Sequence, residues 1–157
     1  MASGCRQSPE GPQANHVVTS DQRSARQWCD QSDSANGCAI YGPSLITLIA
    51  QPESFDGRRV RVIGYVHFVF EGNGLYVSQE SYDHGISRNG LWIEAPKGFD
   101  SDSGPARRQP NDRYVIVEGT FSATNRGHMG MWSGAIEHVT RLDPWGPPGV
   151  PRGFRAP

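Results

Sequence analysis

Long apolar runs are missing from this 157-residue sequence, in which no stretch approaches 18 apolar residues. That excludes a membrane-spanning helix within these residues. Charge of one sign is missing too, since 15 Lys and Arg stand against 16 Asp and Glu, for a net charge of −1. No net positive potential draws the chain to phosphate. By segment, residues 1–43, 44–142 and 143–157 each stay within one unit of neutrality, so there is neither a basic arm nor an acidic tail. Lys97 is the one lysine. Familiar catalytic signatures are also wanting: there is no G-x-S-x-G, HExxH, Walker A or GxGxxG. What the chain does have is 19 Gly and 12 Pro against only 36% hydrophobic residues. Part of it is therefore expected to lie outside any core, leaving room for one domain.

The three cysteines divide into a pair and a single. Cys29 and Cys38 flank a Ser-, Asp-, Asn- and Gly-rich segment that can loop back on itself. A disulfide there would staple a coil-rich stretch, and the spacing does not match a zinc site. Cys5 follows Ala2-Ser3-Gly4, which resembles the end of a bacterial lipobox. On that resemblance Cys5 would carry a lipid, and the charged and apolar parts of a signal peptide would precede these residues. An exported, envelope-anchored protein also sits where a disulfide persists; a cytoplasmic location is the alternative.

Periodicity divides the chain into three parts. Residues 1–43 show no sustained period and are expected to form a flexible tether with a Cys29–Cys38 loop. The last fifteen residues hold five Pro and three Gly and are expected to be a disordered tail. Between them lies a unit at 44–142. Ser44 reads as the N-cap of a short apolar helix that stops at Pro52. Then Val60, Val62, Gly64, Val66, Phe68 and Phe70 alternate with Arg59, Arg61, Ile63, Tyr65, His67 and Val69. That is a long strand with one apolar face, and Gly64 predicts a bulge or sharp bend in its middle.

Gly72-Asn73-Gly74 turns the chain into a second strand, GLYVSQ, and LWIEA is a third that places Trp92 on the core face. After a polar loop at 97–112, RYVIVEGTF and AIEHVTRL are the fourth and fifth strands. Within the polar loop, Asp100-Ser101-Asp102-Ser103-Gly104 lacks the ligand order of a calcium loop and reads as solvated, so no metal is expected. Five short strands with a small helix predict a mainly β fold: a small OB-like barrel with flanking ends that carry little structure.

Several segments together resemble a family of small bacterial proteins with an OB-like β-barrel of lipoprotein or envelope type. They are SLITLIAQPESFDGRRVRVIGYV, YDHGISRNGLWIE, YVIVEGTF and NRGHMGMWSGAIEHVTRL, covering about 45–142. The resemblance implies a fold and supplies no catalytic residues.

Candidate recognition residues cluster in two turn-rich segments that a barrel would bring to one rim. Tyr82, Asp83, His84 and Asn89 would face Asn125, His128 and Trp132. Such a group could hydrogen-bond a ligand, and His84 or His128 beside a carboxylate could act as a base in a small hydrolase. The plainer reading is that Tyr82 and His84 pin their own loop. Base stacking on Tyr65, Phe68, Tyr76 and Trp92 beside Arg58, Arg59 and Arg61 would make a single-stranded nucleic-acid binder. Four glutamates along the strands dilute that positive potential. The expected function is thus a non-enzymatic envelope module, without a cofactor, that recognises another protein such as an envelope component or a toxin it neutralises. An oligosaccharide ligand is a further expectation, nucleic acid the alternative.

Overall fold

The computed structural model describes residues 28–33, 37–95 and 110–146. Its sheet holds seven strands: β1 (Cys29–Asp33), β2 (Gly37–Tyr41), β3 (Arg59–His67), β4 (Gly74–Tyr76), β5 (Gly90–Ile93), β6 (Arg113–Ser122) and β7 (Ala135–Pro144). They are ordered β1-β2-β3-β4-β5-β7-β6, and β6 returns to pair with β3. The last five strands therefore close into a barrel, the expected OB-like architecture. Two short helices accompany it, α1 (Leu45–Ala50) and α2 (Gln79–Asp83). Both are capped as their sequences demand: Ser44 Oγ accepts from Thr47 N at 3.0 Å, and Ser78 Oγ accepts from Ser81 N at 3.1 Å.

Alternation along β3 puts Val60, Val62 and Val66 inside, where they meet Leu75, Leu91, Ile93, Val115, Val117, Phe121 and Ile136. Leu45 and Leu48 of α1 and Phe55 seal this core. A one-to-two-turn helix cannot hold itself together, so these buried side chains are what keep α1 folded.

Three local expectations change. Gly64 causes no slip, because β3 and β6 stay in register from Arg59↔Thr120 to Val66↔Arg113. The glycine is there for close approach: a Cβ would lie 2.6 Å from Leu45 Cδ1 and 2.9 Å from the Tyr76 carbonyl oxygen. The register shift falls instead in the β6–β7 pairing, where the step from Glu118 to Thr120 on β6 faces the longer step from Arg141 to Glu137 on β7. Phe70 was placed on the core face by its period, but β3 ends at His67 and Phe70 stands in the following turn, 86% exposed. Asn111 enforces that ending by accepting from Phe68 N at 2.8 Å and donating to Phe68 O at 3.1 Å. Trp92 also leaves the core, since Leu91 and Ile93 point inward and Trp92 stands on the outer face between them.

Ordered structure begins before residue 44. The Cys29–Cys38 disulfide forms, with Cα atoms 5.6 Å apart, across the antiparallel β1–β2 hairpin. Tyr41 at the end of β2 pairs in parallel with Val60, and its ring meets Phe55 edge-on at 6.2 Å. At the other end β7 runs two residues past Leu142, and Trp145 N donates to Tyr114 O at 2.8 Å. The expected tail beyond Gly146 lies outside the described residues, as do Cys5, most of the expected tether and the 100–104 loop.

Candidate binding surface

The outward side chains of β3, β4 and β5 build a second, smaller packed layer. Tyr65 projects from β3 and meets Tyr114 of β6 edge-on at 5.6 Å. Tyr82, delivered by α2, lies across Tyr65 at 5.8 Å, Tyr76 at 5.5 Å and His67 at 4.2 Å between ring centres. Trp132 follows, packed edge-on against Trp92 at 5.1 Å. The result is a belt of aromatic rings around half the barrel. Burial raises the Tyr65 hydroxyl to about 12, with the Asp112 and Asp83 charges adding to it. Burial also raises Tyr76, although the Trp132 indole opposes the shift, and burial with Asp112 and Asp83 raises Tyr82. These phenols are therefore neutral hydrogen-bond donors at ordinary pH.

A short polar chain crosses the belt. His67 Nδ1–H donates to Asp112 Oδ1 at 2.6 Å, and the Tyr82 hydroxyl lies 3.1 Å from His67 Nε2. With Nδ1–H directed at Asp112, Nε2 is the nitrogen left to accept from the Tyr82 phenol. Asp112 has φ 52, a left-handed backbone adopted next to this contact. The arrangement ties α2 and the start of β6 to the end of β3. Both imidazole nitrogens are engaged within the protein.

The seven expected recognition residues distribute as follows. Tyr82 is in the belt. Asp83 is exposed beside it, and its charge acts on Tyr65 and Tyr82. His84 Nδ1–H donates to Glu80 O at 2.9 Å, closing the C-terminal end of α2. Asn89 shapes the turn into β5, its N–H donating to Ile86 O at 3.0 Å. Asn125 accepts from Gly127 N at 2.9 Å and donates to Glu137 Oε1 at 2.7 Å. Trp132 is buried, and its indole N–H closes no complete hydrogen bond. His128 Nε2 lies 3.7 Å from Glu71 Oε2.

The two segments do meet, but through other atoms. Ser133 Oγ donates to Arg88 O at 2.8 Å, Arg88 Nη1 donates to Trp132 O at 3.3 Å, and Ser133 N donates to Gly90 O at 3.2 Å. His84 bonds the Glu80 carbonyl, whereas His128 lies 3.7 Å from the Glu71 carboxylate, so the two histidines do not share a partner.

The contact between His128 and Glu71 joins two loops at one end of the barrel, residues 68–73 and 123–134. Glu71 has φ 58 and Met129 has φ 53, so each loop turns through a non-glycine residue in left-handed conformation. Gly127 is required below them: a Cβ would lie 2.6 Å from the Trp92 ring. These turns aim Phe70 and Met129 into solvent, 86% and 84% exposed, with Val69 and Met131 half-exposed beside them in sequence. In the sequence Phe70 reads as a core residue because the alternation runs past the end of the strand. Met129 carries no periodic signal.

Across the barrel, the outer face is ionic. Glu118 of β6 accepts from Arg61 Nε at 2.8 Å and from Arg141 Nη1 at 3.1 Å. Arg61 also pairs with Asp30 on the disulfide hairpin, and Arg141 with Asp143 at 2.6 Å. Desolvation favours the neutral Glu118 carboxyl, but the two guanidiniums outweigh it and hold the group below the usual carboxylate range.

The fold and this surface define a small closed β-barrel with an aromatic outer layer and two projecting loops. Compared with protein-family models, curated proteins and solved structures, the chain matches none. Among the described residues no group of three or more His, Cys, Asp or Glu is placed to hold a metal, and no helix is long and apolar enough to cross a membrane. The disulfide is compatible with a periplasmic or extracellular protein.

Proposed function

We propose that the chain is a non-enzymatic binding module of the bacterial cell envelope that recognises another protein through the loops 68–73 and 123–134. One observation carries this reading: Phe70 and Met129, large apolar side chains, are presented almost fully to water on two loops that approach each other at His128 and Glu71, 3.7 Å apart. Exposed aromatic and Met side chains on adjacent loops are what a protein interface uses as anchors. OB-type barrels bind their ligands with loops at this end of the barrel and with the neighbouring strand face. Here that face is already covered. Tyr65 and Tyr76 are buried under Tyr82, and Trp92 packs against Trp132 and Gly127, so the strand rings a stacked base would need are mostly covered. Among the described residues the loops set the Glu71 carboxylate against Arg126 and His128, which does not make a strongly basic groove.

The role that suits such a surface is that of an inhibitor or immunity protein, or a docking component of the envelope. Lipidation of Cys5 would tether the barrel near its partner, and the disulfide suits the same compartment.

The test uses the full-length chain with a photo-crosslinking residue in place of Phe70, exposed to bacterial envelope extract. The expected result is a discrete protein adduct that Met129→Asp abolishes and excess single-stranded oligonucleotide leaves unchanged. Failure to form a protein adduct, together with salt-sensitive oligonucleotide binding, would reverse the reading. Intact mass of protein isolated from membranes would show whether Cys5 carries a diacylglyceryl group.

A further inference from the structure

We propose that Met129 is an oxidation site through which a peroxide-class oxidant switches the recognition surface off, an inference that rests on the protein-binding role of the two loops. Three observations lead to it. Met129 lies between Gly127 (φ 63) and Gly130 (φ 67) and is itself at φ 53, so this stretch of left-handed backbone carries its side chain away from the barrel. It is 84% exposed, whereas Met131, two residues on and next to the buried Trp132, is 39% exposed. The Cys29–Cys38 disulfide suits an oxidising compartment, where such an oxidant is met.

The reaction requires nothing from the protein but access. A lone pair on Met129 Sδ attacks one peroxide oxygen, an S–O bond forms, and the O–O bond breaks. Sulfur loses two electrons, the peroxide is reduced, and after proton transfer the second oxygen leaves as water. The product sulfoxide is polar where the thioether was apolar, and methionine sulfoxide reductases reverse the change. Because the Met129 side chain lies outside the core, its oxidation removes an apolar anchor without loosening the barrel. That distinguishes a switch from damage: the same change at a packed methionine would cost stability.

Limited hydrogen peroxide treatment of the full-length protein, followed by peptide mass spectrometry, tests the site directly. Met129 is expected to oxidise about twofold or more faster than Met131, in line with its exposure. Retention on a phenyl column should fall after treatment, the thermal midpoint should not move, and Met129→Leu, which keeps the apolar bulk, should show no loss of retention. Equal oxidation of the two methionines, or an equal retention loss in Met129→Leu, would overturn the site. Cross-linking from position 70 separates the two ideas. An adduct that forms before treatment and disappears after it supports the switch. An adduct that persists on protein oxidised at Met129 refutes the switch but leaves the recognition role standing. No adduct before treatment refutes that role itself.

Discussion

The barrel covers its outer wall in two different ways. On the side of β6 and β7, charges do the work: Glu118 is held by Arg61 and Arg141, and these reach on to Asp30 and Asp143. Over β3, β4 and β5, aromatic rings do it, from Tyr65 through Tyr82 and Tyr76 to Trp92. The ionic side fastens one element, the disulfide hairpin, and presents mainly paired groups. The aromatic side adds one hydrogen bond, His67–Asp112, and its end at Trp92 underlies the loop that presents Met129. Surface ion pairs contribute little each, whereas buried rings contribute through area and shape. The aromatic side should therefore carry more of the stability and hold the loops in place, and the ionic side should govern response to acid.

Truncating the aromatic layer is the strongest way to break this contrast. Trp132→Ala removes a fully buried indole and is expected to cost about 3–5 kcal/mol in chemical denaturation. It should also erase the near-ultraviolet circular dichroism of the Trp92–Trp132 pair. A loss under about 1 kcal/mol would mean that the belt is decoration rather than a second core.

Opening the hairpin comes next. Replacing Cys29 and Cys38 with Ser together should cost about 2–3 kcal/mol, the value expected for closing so short a loop in the unfolded chain. The barrel's own spectrum should survive, since the hairpin joins it mainly at Tyr41↔Val60 and through Asp30–Arg61.

Glu118→Gln is expected to have the smallest effect, about 1–3 kcal/mol at neutral pH, because it leaves two partly exposed guanidiniums short of a partner. Its signature is in the pH dependence. The folded-state pKa of Glu118 is depressed, so its stabilisation is complete above the unfolded carboxylate range of about 4.3 and fades as pH falls through the folded value. The variant should therefore lose less stability than the parent between neutral and acid conditions. Equal acid sensitivity in both proteins would remove Glu118 as its source.

Strands were legible wherever one face was buried and the other wet. The alternation of Val60, Val62 and Val66 with Arg59, Arg61 and Ile63 located β3, and Val115 and Val117 located β6 in the same way. Where both faces are covered, the pattern misled. Trp92 is apolar among Leu91 and Ile93, and nothing in LWIEA says that a loop forty residues on will cover its outer side. Gly64 looked like a bend because a missing side chain in a strand has two physical causes, and the one that applies depends on Leu45 packing against it.

The meeting of the two turn-rich segments was legible by segment more than by atom. The turn-rich stretches around Tyr82 and Trp132 do come together, through Arg88 and Ser133. Composition could not foresee that Tyr82 would reach His67, because that contact depends on α2 lying across β3, a long-range consequence of barrel closure. Phe70 was hidden by an assumption of strand length, and the side chain that ends the strand, Asn111, is far away in sequence.

The pairing of β3 with β6 carries a consequence for the order in which the molecule assembles. Arg59 must wait for Thr120, and Val66 for Arg113, before the longest ladder of the barrel can form. Local hairpins reward the chain early, but this ladder yields nothing until a long span has been brought round, and that entropy must be spent first. Until then one border of β3 is bare and free to join whatever strand is near. The newly made chain is thus most vulnerable to mispairing in the interval before β6 is made, however firmly the finished cylinder is closed.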